Sequence, residues 1–305
     1  MIYTCTITPS IDYTTYLTEF RTGKLNRTNE VYYYPGGKGI NVSRVLQRLG
    51  IKSTVLGFAG GFTGDYIKQF LHNEQIETDF IATQDITRIN VKIKSEEETE
   101  LNGPGPSINH EQQRELLSKV KALQVNDWFV LAGSLPNSIP KAFYQALSAV
   151  CHKNGVHFVL DTSGTALKDL VQTKPFLVKP NQQELGGLFD TKIKTKEEAL
   201  FYAKKLTEDG IRHVIVSMGG EGALLVTKDQ AFSAKAPNGT VVNTVGAGDS
   251  LVSGFLASYI QYKDVKEAFR YGVASGSATA FRTDLCNKGS VESLVSEIRI
   301  NLLHE

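Results

Sequence analysis

Short runs of apolar, often β-branched residues alternate along the chain with stretches whose apolar residues recur every three or four positions. The runs predict strands over Ile2–Thr8, Thr54–Ala59, Trp128–Ala132, Val156–Leu160, Phe176–Val178, Val214–Met218 and Ala223–Thr227. Between them, Val42, Val45, Leu46 and Leu49 form one helical stripe, and Leu251, Val252, Phe255, Leu256 and Tyr259 form another. Strand and helix in this alternation predict an α/β fold. Parallel strands need crossover helices, so a mostly parallel central sheet flanked by helices follows.

Two regions break the rhythm. Asp12–Leu17 with Val31–Tyr34, and Asn90–Lys94 with Glu98–Leu101, alternate in side-chain character without helices between them. They predict a small antiparallel β lid, with strands within about 11–35 and 88–103, inserted into one domain that spans 1–305. No repeat, low-complexity tract or linker divides the chain.

Composition narrows the partners. The 305 residues carry a net charge of only +1, so no broad field attracts a polyanion and nucleic acid is not expected. An anionic ligand must be held by a local cluster of cations. Cys5, Cys151 and Cys286 are scattered, which argues against a disulfide framework and fits a reducing, cytoplasmic setting. The sequence lacks a long apolar run, so no membrane partner is expected. The six histidines show no metal-ligand spacing.

Familiar nucleotide motifs are missing. Neither Gly23-Lys24 nor Gly37-Lys38 has the upstream glycine of a P-loop, and Gly37-Lys38-Gly39 lacks the third glycine of a dinucleotide fingerprint. The informative string is Asn243-Thr244-Val245-Gly246-Ala247-Gly248-Asp249-Ser250, which opens the second helical stripe. Small residues at a helix start let backbone N–H groups converge on an anion. A carboxylate beside that anion would repel it, unless its task is to take a proton from a hydroxyl nucleophile.

This string resembles the second signature of the ribokinase-like carbohydrate kinases, and Pro35-Gly36-Gly37-Lys38-Gly39-Ile40-Asn41 resembles the first. The resemblance covers essentially the whole chain and implies that ATP and Mg²⁺ are used. It makes Asp249 the catalytic base and Gly246, Ala247 and Gly248 the anion hole for the transferred phosphoryl group. It also assigns Asp12, Gly37, Lys38 and Asn41 to the sugar. Lys179-Pro180-Asn181-Gln182-Gln183-Glu184 resembles the N-x-x-E motif, in which Asn181 and Glu184 organise Mg²⁺ and the ATP phosphates, directly or through water, and Lys179 is assigned to the nucleotide as well. Ser217, Met218, Gly219, Gly220, Glu221 and Gly222 would line the ATP site, with Ala274–Thr279 near the adenine. Without the resemblance, Asn181 and Glu184 read as a capping box and the 217–222 loop as a hairpin turn.

The lid carries the substrate information. Thr87-Arg88-Ile89-Asn90-Val91-Lys92-Ile93, with Leu25-Asn26-Arg27, resembles the branch that phosphorylates the C6 hydroxyl of fructose 1-phosphate. Arg27, Lys38 and Arg88 would then grip the existing phosphate, with Asn90 beside them. Tagatose 6-phosphate and fructose 6-phosphate are the alternative substrates. A catalytically silent sugar-phosphate sensor is the non-enzyme alternative, and an NAD-dependent dehydrogenase fits the α/β rhythm but lacks the fingerprint. The family resemblance also implies a homodimer through the lid.

Overall fold

The structure is a computed structural model that describes residues 1–136 and 138–304. The chain opens with β1 (Ile2–Thr6), β2 (Ser10–Tyr16), β3 (Val31–Gly36), α1 (Lys38–Arg48), β4 (Thr54–Ala59), α2 (Gly61–Asn73) and β5 (Glu77–Ala82). Next come β6 (Arg88–Lys94), β7 (Thr99–Asn102), α3 (His110–Lys121), β8 (Trp128–Ala132), α4 (Lys141–Asn154), β9 (His157–Asp161) and α5 (Gly164–Val171). The chain continues with β10 (Leu177–Val178), α6 (Gln182–Leu188), α7 (Lys196–Glu208), β11 (His213–Ser217), β12 (Ala223–Val226) and β13 (Ala231–Ala234). It ends on α8 (Ala247–Tyr262), α9 (Val265–Ala280), α10 (Lys288–Val295) and β14 (Ile300–His304).

One large sheet forms the centre. Its strands run β5-β4-β1-β8-β9-β10-β11 in parallel, and β12, β13 and β14 extend it antiparallel at one edge. β8 shows why these strands read as continuous apolar runs. Phe129 and Leu131 enter one core while Trp128, Val130 and Ala132 enter the other, and all five are buried. Helices α3, α4, α5 and α7 supply Leu116, Leu147, Leu167 and Ala203 to the first core. On the opposite face, α1, α8 and α9 supply Val42, Val45, Phe255 and Phe269 to the second. Each such large side chain stabilises the fold by about 1.5–3 kcal/mol on burial.

The pattern misses β5, β13 and β14, which lie toward the sheet's edges, and overextends β1, where the chain turns after Thr6 to enter a second sheet at Ser10. Edge strands such as Glu77–Ala82 show water one face, so their apolar signal is thin. Helix α8, read as amphipathic, is buried throughout Asp249–Tyr259, because α1 and α9 cover the sides that the sheet does not.

The second sheet has the order β3-β2-β6-β7. Its two hairpins, β2 with β3 and β6 with β7, are antiparallel as expected, and they join along a parallel β2–β6 seam that alternation could not reveal. The seam sets Ser10 opposite Arg88, Asp12 opposite Asn90 and Thr14 opposite Lys92, all on one face. Among the described residues, no helix is long and apolar enough to cross a membrane.

Candidate active site

The carboxyl ends of parallel strands in an open α/β sheet leave a crevice where loops diverge. In this chain a cleft of about 420 Å³ opens there, lined by Thr6 at the end of β1 and Thr8 after it, Gly133 and Ser134 after β8, Lys179 and Asn181 after β10, and Ser217 of β11. The inner face of the small sheet closes it with Asp12, Arg88 and Asn90.

Two helix starts aim into this cleft. Gly37 sits at φ 120° before α1, and a Cβ there would come within 2.5 Å of Thr6 Cγ2, so only glycine fits. Gly246, at φ 79°, makes the corresponding turn before α8 and faces Leu285 just as closely. The turns bring Lys38, Asn41, Gly248 and Asp249 into one lining. Asn41 Nδ2 donates to Asp249 Oδ2 at 2.8 Å, which fixes the carboxylate across the helix pair.

Electrostatics single out Asp249. It is buried, and that burial, with the nearby Asp161 carboxylate, pushes its acid up to about 6. Lys38, the Asn41 hydrogen bond and Lys179 pull in the other direction without cancelling the rise. A carboxylate poised near neutrality is suited to take and later release a proton. Lys38 Nζ lies 2.9 Å from Asp161 Oδ1, and Lys179 Nζ lies 3.4 Å from the same oxygen. Asp161 and, less strongly, Asp249 hold the Lys38 ammonium well above its ordinary range, against the opposing effect of burial. Burial disfavours the Asp161 anion, yet Lys179 and Lys38 hold it below the usual carboxylate range.

The lid end is built around Asp12. Its Oδ1 accepts from Ser10 Oγ at 2.8 Å and from Asn90 Nδ2 at 3.0 Å, and Lys92 Nζ stands 3.3 Å from Oδ2. Arg88 donates to the Thr8 carbonyl at 3.1 Å, while its buried Nε and the Asn90 Oδ1 find no partner. Such groups are ready to bind a polar ligand.

A second cleft of about 440 Å³ adjoins the first through Ser217 and Gly248. Ser217, Gly219, Gly220 and Gly222 line it, as do Gly276 and Ser277 of the 274–279 segment. Met218 and Glu221 do not line it. Met218 turns into the core below the sheet, and Glu221 is exposed on the short 3₁₀ turn Gly219–Glu221. Asn181 and Glu184 form a full capping box at the start of α6, with Asn181 N donating to Glu184 Oε2 at 2.9 Å, and both still line the first cleft. Arg27 is exposed on the loop that joins β2 to β3 and is not in the cleft lining. The sequence motifs missed Asp161, Ser134 and the Lys92–Asp12 contact. For Asp161 a signal existed: a carboxylate at the carboxyl end of an apolar parallel strand points at the crevice.

A family model described as pfkB family carbohydrate kinase matches residues 6–291. The chain therefore belongs to the pfkB family of carbohydrate kinases. It is 50% identical to the 1-phosphofructokinase of Bacillus subtilis, over 99% of this chain and 100% of that protein. It is 37% identical to the D-tagatose-1-phosphate kinase of Bacillus licheniformis, over 99% of this chain and 100% of that protein. Among solved structures, the Escherichia coli phosphofructokinase-2 in complex with substrates and products superposes with a TM-score of 0.92 at 31% identity, covering 97% of this chain and 98% of that one.

Proposed function

We propose that the chain transfers the γ-phosphoryl group of ATP to the C6 hydroxyl of fructose 1-phosphate. The observation that carries this is the Asp249 carboxylate, buried at the Gly246–Gly248 helix start and fixed by Asn41 in a cleft that Arg88 also lines. Asp249 accepts the C6 proton as the O6–Pγ bond forms and the bond from Pγ to the β,γ-bridging oxygen breaks. The products are fructose 1,6-bisphosphate, ADP and a proton. The first-turn N–H groups of α8 face the transferring group, with Lys38 and Lys179 beside it. Asp12, Asn41 and Asn90 hold the sugar hydroxyls, and Arg88 takes the 1-phosphate. The adenine lies in the cleft lined by Gly219, Gly220 and Gly276.

Mg²⁺ would neutralise charge on the ATP phosphates. Among the described residues, no cluster of three or more His, Cys, Asp or Glu side chains is placed to hold a metal. A sparse set nevertheless fits an ion that keeps several waters and takes phosphate oxygens, and Glu184 is the residue to meet it. The small sheet acts as the lid of a single kinase domain. Its outward Tyr33, Ile89 and Leu101 are exposed and supply the apolar surface for a lid-to-lid dimer. The free, buried cysteines suit a cytoplasmic enzyme.

The Bacillus licheniformis relative supports tagatose 1-phosphate as a second substrate, since that sugar keeps both the C1 phosphate and the free C6 hydroxyl. A silent sensor would have no use for a base poised beside an anion site. Side-by-side kinetics with the 1- and 6-phosphates of fructose and tagatose test the proposal. The expected kcat/KM favours the 1-phosphates by at least about tenfold, roughly 1.4 kcal/mol. Preference for either 6-phosphate would overturn it, because their C6 oxygen is already blocked.

A further inference from the structure

Asp161 ends β9 with no exposed surface, and one of its oxygens contacts both Lys38 and Lys179 while the other, Oδ2, has no partner. Burying a carboxylate is costly, and as a source of stability an ion pair is often no better than apolar packing. The two ammoniums that share Asp161 also feel the Asp249 carboxylate, and both reach toward the cleft. A Cβ at Gly248 would lie 3.1 Å from Lys179 Nζ, so that ammonium borders the turn before α8. Lys38, whose side chain is 35% exposed, lines the cleft together with Asp249.

We propose that Asp161 is a positioning residue that anchors Lys38 and Lys179 beside Asp249 and the Gly246–Gly248 turn, so that both ammoniums meet the phosphoryl group in flight. The inference rests on the kinase function proposed above, and it adds a residue that neither glycine signature contains. Its charge has a second effect, since Asp161 helps burial push Asp249 up to about 6. The groups facing Asp249 are Lys38 and Asn41 from α1, Asp161 from β9 and Lys179 after β10, with Glu184 of α6 and Arg88 and Asp12 of the lid elsewhere on the cleft wall.

The test is carboxyl-carbon NMR of the full chain labelled at aspartate, without nucleotide, with the Asp249 signal assigned by its loss in Asp249→Asn. The wild-type signal should titrate near 6. In Asp161→Asn the repelling anion is gone and the two ammoniums keep Asp249 as their remaining carboxylate partner, so the midpoint should fall. An unmoved or raised midpoint overturns the proposal. In the same variant kcat should drop by roughly 10²-fold, with the sugar KM within a few-fold of wild type. Full recovery of kcat on raising Mg²⁺ would also overturn it, because Asp161 would then be a metal ligand. Should Asp161→Asn fail to fold, lysine Nζ NMR of the wild type decides. Two slowly exchanging ammonium signals, one lost in Lys38→Gln and the other in Lys179→Gln, support the anchor, and rapid exchange of both refutes it. None of the NMR measurements requires turnover, so a wild-type chain inactive on every sugar phosphate would count against the kinase proposal alone.

Discussion

The floor of the cleft and its lid handle charge in opposite ways. On the floor, Lys38 and Lys179 both meet Asp161 Oδ1 and Asn41 meets Asp249, so the charges pair with one another before any ligand arrives, with Asp161 Oδ2 alone left over among these contacts. On the lid, Arg88 Nε and Asn90 Oδ1 are buried without a partner, and among the described residues the Arg88 guanidinium hydrogen-bonds only to the Thr8 carbonyl. A floor organised before the substrate arrives need not rearrange when charge develops in the transition state. A lid with unmet donors and acceptors gains its hydrogen bonds only when a ligand supplies them. Substitutions on the floor should therefore act on kcat, and substitutions on the lid on KM.

The largest effect should come from the floor. Asp249→Asn keeps an oxygen for the Asn41 hydrogen bond but removes the proton acceptor, so kcat should fall by about 10²–10⁴ with substrate binding nearly unchanged. Steady-state kinetics with independent binding measurements check this, and turnover within a few-fold of wild type would reduce Asp249 to a helix-start residue. On the lid, Arg88→Ala should raise KM for the sugar phosphate by about ten- to a hundred-fold, which corresponds to one charge-assisted hydrogen bond of roughly 1.5–3 kcal/mol. The KM for ATP should stay near its wild-type value. An equal rise in both would erase the division between floor and lid.

The smallest expected effect belongs to the nucleotide side. Glu184→Gln retains an acceptor for the Asn181 N–H, so the start of α6 should survive while one negative charge is lost. Apparent affinity for Mg²⁺ should weaken by about a few-fold to tenfold, with partial recovery as Mg²⁺ is raised. A Mg²⁺ titration that overlays wild type would confine Glu184 to its capping role.

Much of this molecule is legible in one dimension wherever neighbours in sequence do the work. Trp128–Ala132 reads as a buried strand because both of its faces meet helices. The two glycine turns are equally local, since a positive φ and a helix start require particular residues in an unbroken string. Helix α8 shows the limit. Its sequence carries a stripe, yet burial on every side depends on α1 and α9, which no periodicity within the helix encodes. The parallel seam between β2 and β6 escapes for the same reason, because alternation specifies a strand's faces but not its neighbour's direction.

The sequence by itself determined the class of fold and the two glycine turns that open α1 and α8, because each rests on a local pattern. Only the tertiary structure decided which charges keep company. Lys38 and Lys179 belong to separate motifs, and Asp161 belongs to none. Asp161 ends β9 and Lys179 follows its neighbour β10, while Lys38 joins them from the start of α1, which β3 of the small sheet brings against the end of β1. Coulomb interactions depend on distance in space and on the burial around them, and neither is written in the spacing of residues along the chain.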